Sequence, residues 1–161
     1  MPFFSSMISK TCYQYAINLL ARRDYSAFKL RQKLKSREYS EEEIEETLTI
    51  LIDKNYLRED EYLRLRIQGL LYKGYSNSYI RQKCQMENLS PSDADIDFYR
   101  EELRLTSDGE IDRLIQKKLR GSPLPQDYTE RQKALNRIMN FLASKGHNYD
   151  AIKKGIDRLG S

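Results

Sequence analysis

Residue types able to do acid–base, nucleophilic or metal chemistry are few in this chain and do not converge. His147 is the single histidine of 161 residues. Lys145 and Asp150 lie close to it in sequence, but no Ser or Cys stands at a spacing that would complete a relay. Cys12 and Cys84 form no C-x-x-C unit, which excludes a zinc site. They are expected to be free, mostly buried thiols behaving as small hydrophobes, a disulfide being the poorer reading in a reducing compartment. Glu41, Glu42 and Glu43 follow Ser40 directly, so they read as the acidic first turn of a helix rather than as a catalytic cluster. No P-loop, G-x-G-x-x-G or G-x-S-x-G occurs. The expectation is a protein that is not an enzyme and takes no cofactor and no metal.

What does recur is positive charge at fixed places. Arg23-Asp24-Tyr25-Ser26 is followed by Leu30 and then Arg31-Gln32-Lys33-Leu34; Lys73-Gly74-Tyr75-Ser76 is followed by Ile80 and then Arg81-Gln82-Lys83-Cys84, 50 residues on. A weaker third copy, displaced by a further 72, is Lys145-Gly146-His147-Asn148 with Ile152 and Lys153-Lys154-Gly155-Ile156. Cys84 fills the slot of Leu34 and Ile156, which predicts a core residue. Formal charge alternates along the chain: +7 over 1–37, −8 over 38–61, +4 over 62–88, −6 over 89–112 and +7 over 113–161, for the net +4. Any one Lys or Arg reads most simply as part of a solvated helix face with intrachain pairs. As an ensemble, Arg22, Arg23, Arg31, Lys33, Arg81, Lys83, Lys145, Lys153 and Lys154 point to an extended anionic partner, because stacked units would line up their basic parts along one side.

The elements that must carry these residues read as helices. Only 39% of the chain is apolar and 32% is charged, too polar for one thick core, whereas 12 Tyr and 5 Phe are too many for a disordered tail. Apolar residues fall at helical intervals in Tyr15, Ile17, Leu19 and Leu20, in Ile44, Leu48, Leu51 and Ile52, and in Leu63, Ile67, Leu70 and Leu71. Ser26, Ser40 and Ser76 precede helical stretches as N-caps, and Ser90 with Pro91 at the first helical position is expected to open another. A further helix is predicted near Glu110 to Arg120, ended by Gly121-Ser122-Pro123-Leu124-Pro125. Self-similarity at a fixed period signals a helical array whose units bury their faces against neighbours. The expected fold is therefore all-α, an elongated array of tandem three-helix repeats with about nine helices. Its divisions are an N-terminal arm 1–10, repeat one 11–57, repeat two 58–105, and 106–161 as repeat three with a connecting helix and Pro-containing linker. No apolar run is long enough for a membrane span and Met1–Lys10 lacks the form of a signal peptide, so a cytoplasmic chain is expected.

Leu19-Leu20-Ala21-Arg22-Arg23-Asp24-Tyr25-Ser26 with Leu30 and Leu34, the turn Asn55-Tyr56-Leu57 before Arg58-Glu59-Asp60, Lys73-Gly74-Tyr75 with Ile80-Arg81, and Phe141-Leu142-x-x-Lys145-Gly146 together resemble the bacterial RecX family of recombinase regulators, from about Thr11 to Leu159. Three positions depart from the family pattern: Asn55 where Gly is usual, Arg58 where an acidic residue is common, and His147 where Tyr or Phe is typical. The resemblance implies a crescent of three-helix units that binds the RecA nucleoprotein filament along its groove and restrains filament growth, ATP hydrolysis and strand exchange. It thereby implies a part in DNA repair and the SOS response. It also implies affinity for single- or double-stranded DNA; no membrane partner is expected, and a monomer is preferred.

The alternative is a nucleic-acid-binding protein using its three-helix units as helix-turn-helix modules. A recognition helix presents Arg, Asn or Gln from its first turns, whereas these turns read Ala27-Phe28-Lys29, Asn77-Ser78-Tyr79 and Tyr149-Asp150-Ala151. That leaves non-specific phosphate contact through Arg31, Lys33, Arg81 and Lys83. Tyr25 and Tyr75 are expected to staple their helix pairs. Phe3, Phe4 and Ile8 are candidates to dock the N-terminal arm on repeat one.

Overall fold

The computed structural model describes residues 10–160, so the expected arm, apart from Lys10, lies outside the described residues. Among them there are nine α-helices and no strand: α1 (Cys12–Leu20), α2 (Ala27–Ser36), α3 (Glu41–Asp53), α4 (Glu59–Tyr72), α5 (Asn77–Gln85), α6 (Asp93–Glu102), α7 (Ser107–Leu119), α8 (Tyr128–Ser144) and α9 (Tyr149–Leu159). The chain divides into two compact units, with the boundary between Leu65 and Arg66, inside α4.

In the first unit α1, α2 and α3 pack pairwise. Thr11 and Gln14 close a reciprocal box at the start of α1, each side chain accepting the other's backbone N–H. Ser26 Oγ accepts the Lys29 N–H at the start of α2, and Ser40 Oγ accepts the Glu43 N–H at the start of α3, where Glu41, Glu42 and Glu43 face the positive end of the helix. The faces turned inward are apolar: Cys12, Ala16, Tyr25, Leu30, Leu34, Ile44, Leu48, Leu51 and Leu57 form one cluster. Asn55, in the family's glycine position, takes φ 59°, a left-handed conformation that Asn tolerates better than most residues. Arg58 comes to 3.8 Å from Asp24. Glu59 accepts the Ala27 N–H at 2.9 Å, supplementing the cap of α2.

In the second unit α7, α8 and α9 pack pairwise around Ile111, Leu114, Ile115, Ile138, Leu142 and Ile152. Ile67, Leu70, Leu71, Ile80, Cys84, Leu89 and Ile96 are buried on α4 to α6 and their connections. The cap of α6 is Ser92, not Ser90: Ser92 and Asp95 close a reciprocal box, while Asp93, three residues after Ser90, is drawn into an ion pair with Arg81. Pro91 is buried ahead of the helix rather than at its first position. The helix expected from Glu110 begins at Ser107, because Thr106 Oγ1 accepts the Gly109 N–H at 3.0 Å. Cys84 is fully buried, as its place in the repeat implied.

Candidate partner-binding surface

The cations singled out by the repeat do not share one environment. In the first unit Arg22 and Arg23 are exposed in the turn after α1, and the Arg23 guanidinium lies 4.7 Å from the centroid of the buried Tyr25 ring. Arg31 on α2 is ion-paired with Glu45 on α3; the hydrogen bond raises the arginine's pKa and holds the carboxyl of Glu45 below the usual carboxylate range. Two residues along, Lys33 is exposed and has no ion pair among the described residues.

In the second unit Arg81 on α5 is paired with Asp93 on α6, repeating the tie that Arg31 makes from middle to third helix. Lys83 and Lys145 come together through aromatic rings. The Lys145 ammonium stands 4.2 Å from the Tyr75 centroid, Tyr75 stacks on Tyr79 at 4.1 Å and 7°, and Lys83 lies 5.4 Å from Tyr79. Burial acts to raise the Tyr75 phenol, but the positive charge of Lys145 and hydrogen bonds from Tyr79 and Lys145 outweigh it, so its pKa falls below the ordinary value. The same turn is bound by the Ser76 N–H donating to Lys145 O at 2.9 Å and by His147 Nε2 at 2.8 Å from Gly74 O. Tyr75 therefore joins the second and third copies rather than only stapling its own helix pair. Lys153 and Lys154 are exposed on α9 and unpaired among the described residues.

A second set of cations lies between the repeat copies, where a comparison of copies does not look. Lys117, Lys118 and Arg120 at the end of α7 and Arg137 on α8 line a cleft of about 780 Å³ beside the Pro123–Pro125 connector. The signal in sequence was the +7 segment 113–161 and the Lys117-Lys118-x-Arg120 run just ahead of the helix-breaking Gly121.

His147 is half-buried, and burial lowers its pKa, partly offset by its bond to Gly74. Burial raises the pKa of both thiols, which are free. Among the described residues no three His, Cys, Asp or Glu side chains are grouped to hold a metal, and no helix is long and apolar enough to cross a membrane. At the expected recognition position, Asn77 is occupied by Arg100 and Asp97, and Phe28 is half-buried.

The family model of the RecX first three-helix domain matches residues 12–51. A regulatory protein RecX of Mannheimia succiniciproducens is 39% identical over 88 residues, 52% of this chain and 55% of that one. The regulatory protein RecX of Haemophilus influenzae strain PittEE is 32% identical over 153 residues, 89% of this chain and 91% of that one. The crystal structure of RecX from Lactobacillus salivarius has the same fold, with a TM-score of 0.67 at 21% identity over 92% of this chain and 94% of that one. On sequence across nearly its whole length, with an all-helical fold to match, the chain belongs to the RecX family of regulatory proteins.

Proposed function

We propose that the protein binds the RecA recombinase filament, along its groove, and inhibits filament growth, ATP hydrolysis and strand exchange, so modulating DNA repair and the SOS response. The observation that carries this is the match to a regulatory protein RecX over 89% of the chain. The three-helix repeats 11–57, 58–105 and 106–161 serve as the contacting modules, each adding a modest contact that multiplies along one chain. The protein acts as a cytoplasmic monomer without catalysis of its own, and its effect on ATP turnover is exerted by favouring a filament state in which hydrolysis is slow.

The nine repeated cations divide in this reading. Arg31 and Arg81 hold helices to each other, which leaves Arg22, Arg23, Lys33, Lys153 and Lys154 as the groups with charge to offer an acidic surface. Lys83 and Lys145 contribute through the aromatic ladder they flank. The test is single-stranded-DNA-stimulated ATP hydrolysis by RecA with the purified protein added. Slowing is expected, and reversal of charge at Arg22, Lys33, Lys153 and Lys154 together weakens it while helicity is kept. Hydrolysis that is indifferent to the wild-type protein would remove the filament as its partner.

A further inference from the structure

The cleft beside the α7–α8 connector brings four cations to one concavity with no carboxylate among them, unlike the arginines that tie the helices of the second unit together. Arg66, Arg81, Arg100 and Arg158 each have a carboxylate within ion-pair distance. Lys117, Arg120 and Arg137 have none among the described residues, and the Lys118 ammonium is held only over the Phe141 ring, at 4.2 Å. No acidic side chain lines the cleft. Four like charges facing one concavity repel each other, so the arrangement is costly unless an anion joins it. The plain reading, that last-turn lysines complement a helix dipole, covers Lys117 and Lys118. It extends to Arg120, the left-handed C-cap of α7, but not to Arg137, which comes to the same cleft from α8.

We propose that this cleft is a binding site for the phosphodiester backbone of a single nucleic-acid strand. Its lining includes the half-buried Phe141, over whose ring Lys118 stands, with the buried Ala134 and Ile138 behind it. Cations on two helices, with an aromatic side chain between them, suit a strand that alternates phosphate with base. A duplex is too wide to enter a cleft of about 780 Å³ and would touch only its rim. The site goes beyond the filament contact proposed above: it rests on the chain meeting the DNA that the filament carries, and it assigns that contact to residues other than the repeated cations.

The test is the binding of a fluorescein-labelled oligodeoxythymidine by anisotropy, without recombinase, across a salt series. The variant K117Q/R120N/R137Q is expected to bind at least about tenfold more weakly at low salt. Its salt slope should be shallower by about 2, since each phosphate contact on a single strand adds about 0.7. Asparagine at position 120 keeps the left-handed cap accessible. K117Q/R137Q, which leaves that cap untouched, should lose about 1.4 of slope should the triple variant fold poorly. K35Q/K54Q, in the first unit, should bind like wild type. Unchanged affinity and slope in a folded K117Q/R137Q, no binding by wild type, or displacement by polyglutamate as effective as by unlabelled strand would each overturn the site. The filament reading is judged separately, by whether wild type slows RecA hydrolysis.

Discussion

The interior of the first unit is apolar, and the interior of the second carries whole charges. Among the described residues, the polar ones below the surface of the first unit are Ser26, a helix cap, and Thr47. Below the surface of the second are Glu87, Arg100 and Glu110, with Glu110 only 2% and Arg100 only 7% exposed. Arg100 on α6 pairs with Glu110 on α7, donates to Asn77 at the start of α5, and lies 3.8 Å from Asp97. Arg66 on α4 reaches Glu87, just past α5, at 3.5 Å. Apolar packing tolerates small shifts of register, whereas a buried ion must find its one partner. The second unit's helices are thus fixed by pairings whose loss is far more costly than their presence is favourable.

The largest effect that would test this contrast is at Glu110. Burial raises its pKa, opposed by the charge of Arg100. Glu110→Ala strands Arg100 below the surface, and urea denaturation should show a loss of about 3–5 kcal/mol. R100M/E110L, which fills the same space with apolar side chains, should recover most of it. Thr47→Ala in the first unit should cost about 1 kcal/mol. Amide exchange should place the E110A loss in α5 to α7 and leave α1 to α3 protected. Equal costs for E110A and T47A would abolish the distinction between the two interiors.

The turns sharpen the same comparison with a smaller effect. In the first unit the left-handed positions are held by Glu38 and Asn55, both exposed. In the second, Gly74 and Gly146 hold the turns where two repeat copies meet, and a Cβ on Gly146 would stand 2.4 Å from Ser76 Oγ and 2.8 Å from Tyr79 Cβ. Gly146→Ala should therefore cost about 3 kcal/mol, combining backbone strain and overpacking. Gly121→Ala has the same sign of φ but nothing within 4 Å, and should cost about 1 kcal/mol. Matching melting temperatures for G146A and G121A would mean that the turn gives way without cost.

How far the sequence could be read follows from what each feature depends on. The helices were legible, and so were three of their caps, because a serine before an apolar period acts locally, as at Ser26, Ser40 and Ser76. The α6 cap was misplaced by two residues because Asp93 is claimed by Arg81, a contact between helices that no local pattern displays. The repeat offset identified Cys84 as core and brought Tyr25 and Tyr75 to notice. It also hid the α7–α8 cleft, whose cations have no counterpart in the other copies. Nor could spacing separate Arg31 and Arg81, tied to carboxylates, from Lys33, which is not: all three sit on the same kind of helix, and only the fold decides which finds a partner.

The smallest effect concerns pH and again belongs to one unit. The first unit has no histidine; in the second, burial depresses His147, its bond to Gly74 acts the other way, and the charge of Arg100 adds to the depression. A histidine whose folded pKa lies below its unfolded value of about 6.5 takes up a proton more readily when the chain unfolds. Its contribution to stability is complete above that pH and is lost as pH falls through the folded pKa. Glu110, raised by burial, has the opposite dependence, so the slope of wild type alone mixes the two. His147→Phe restores a ring typical of the family and removes the proton. Against H147F, wild type should lose relative stability between about pH 7.5 and about pH 5.5. The difference should be read as exchange protection around Gly74 and α9, with α1 to α3 unchanged. Parallel pH profiles for the two proteins would mean that His147 binds its proton equally well folded and unfolded, and that the packed turn does not exclude water from its ring.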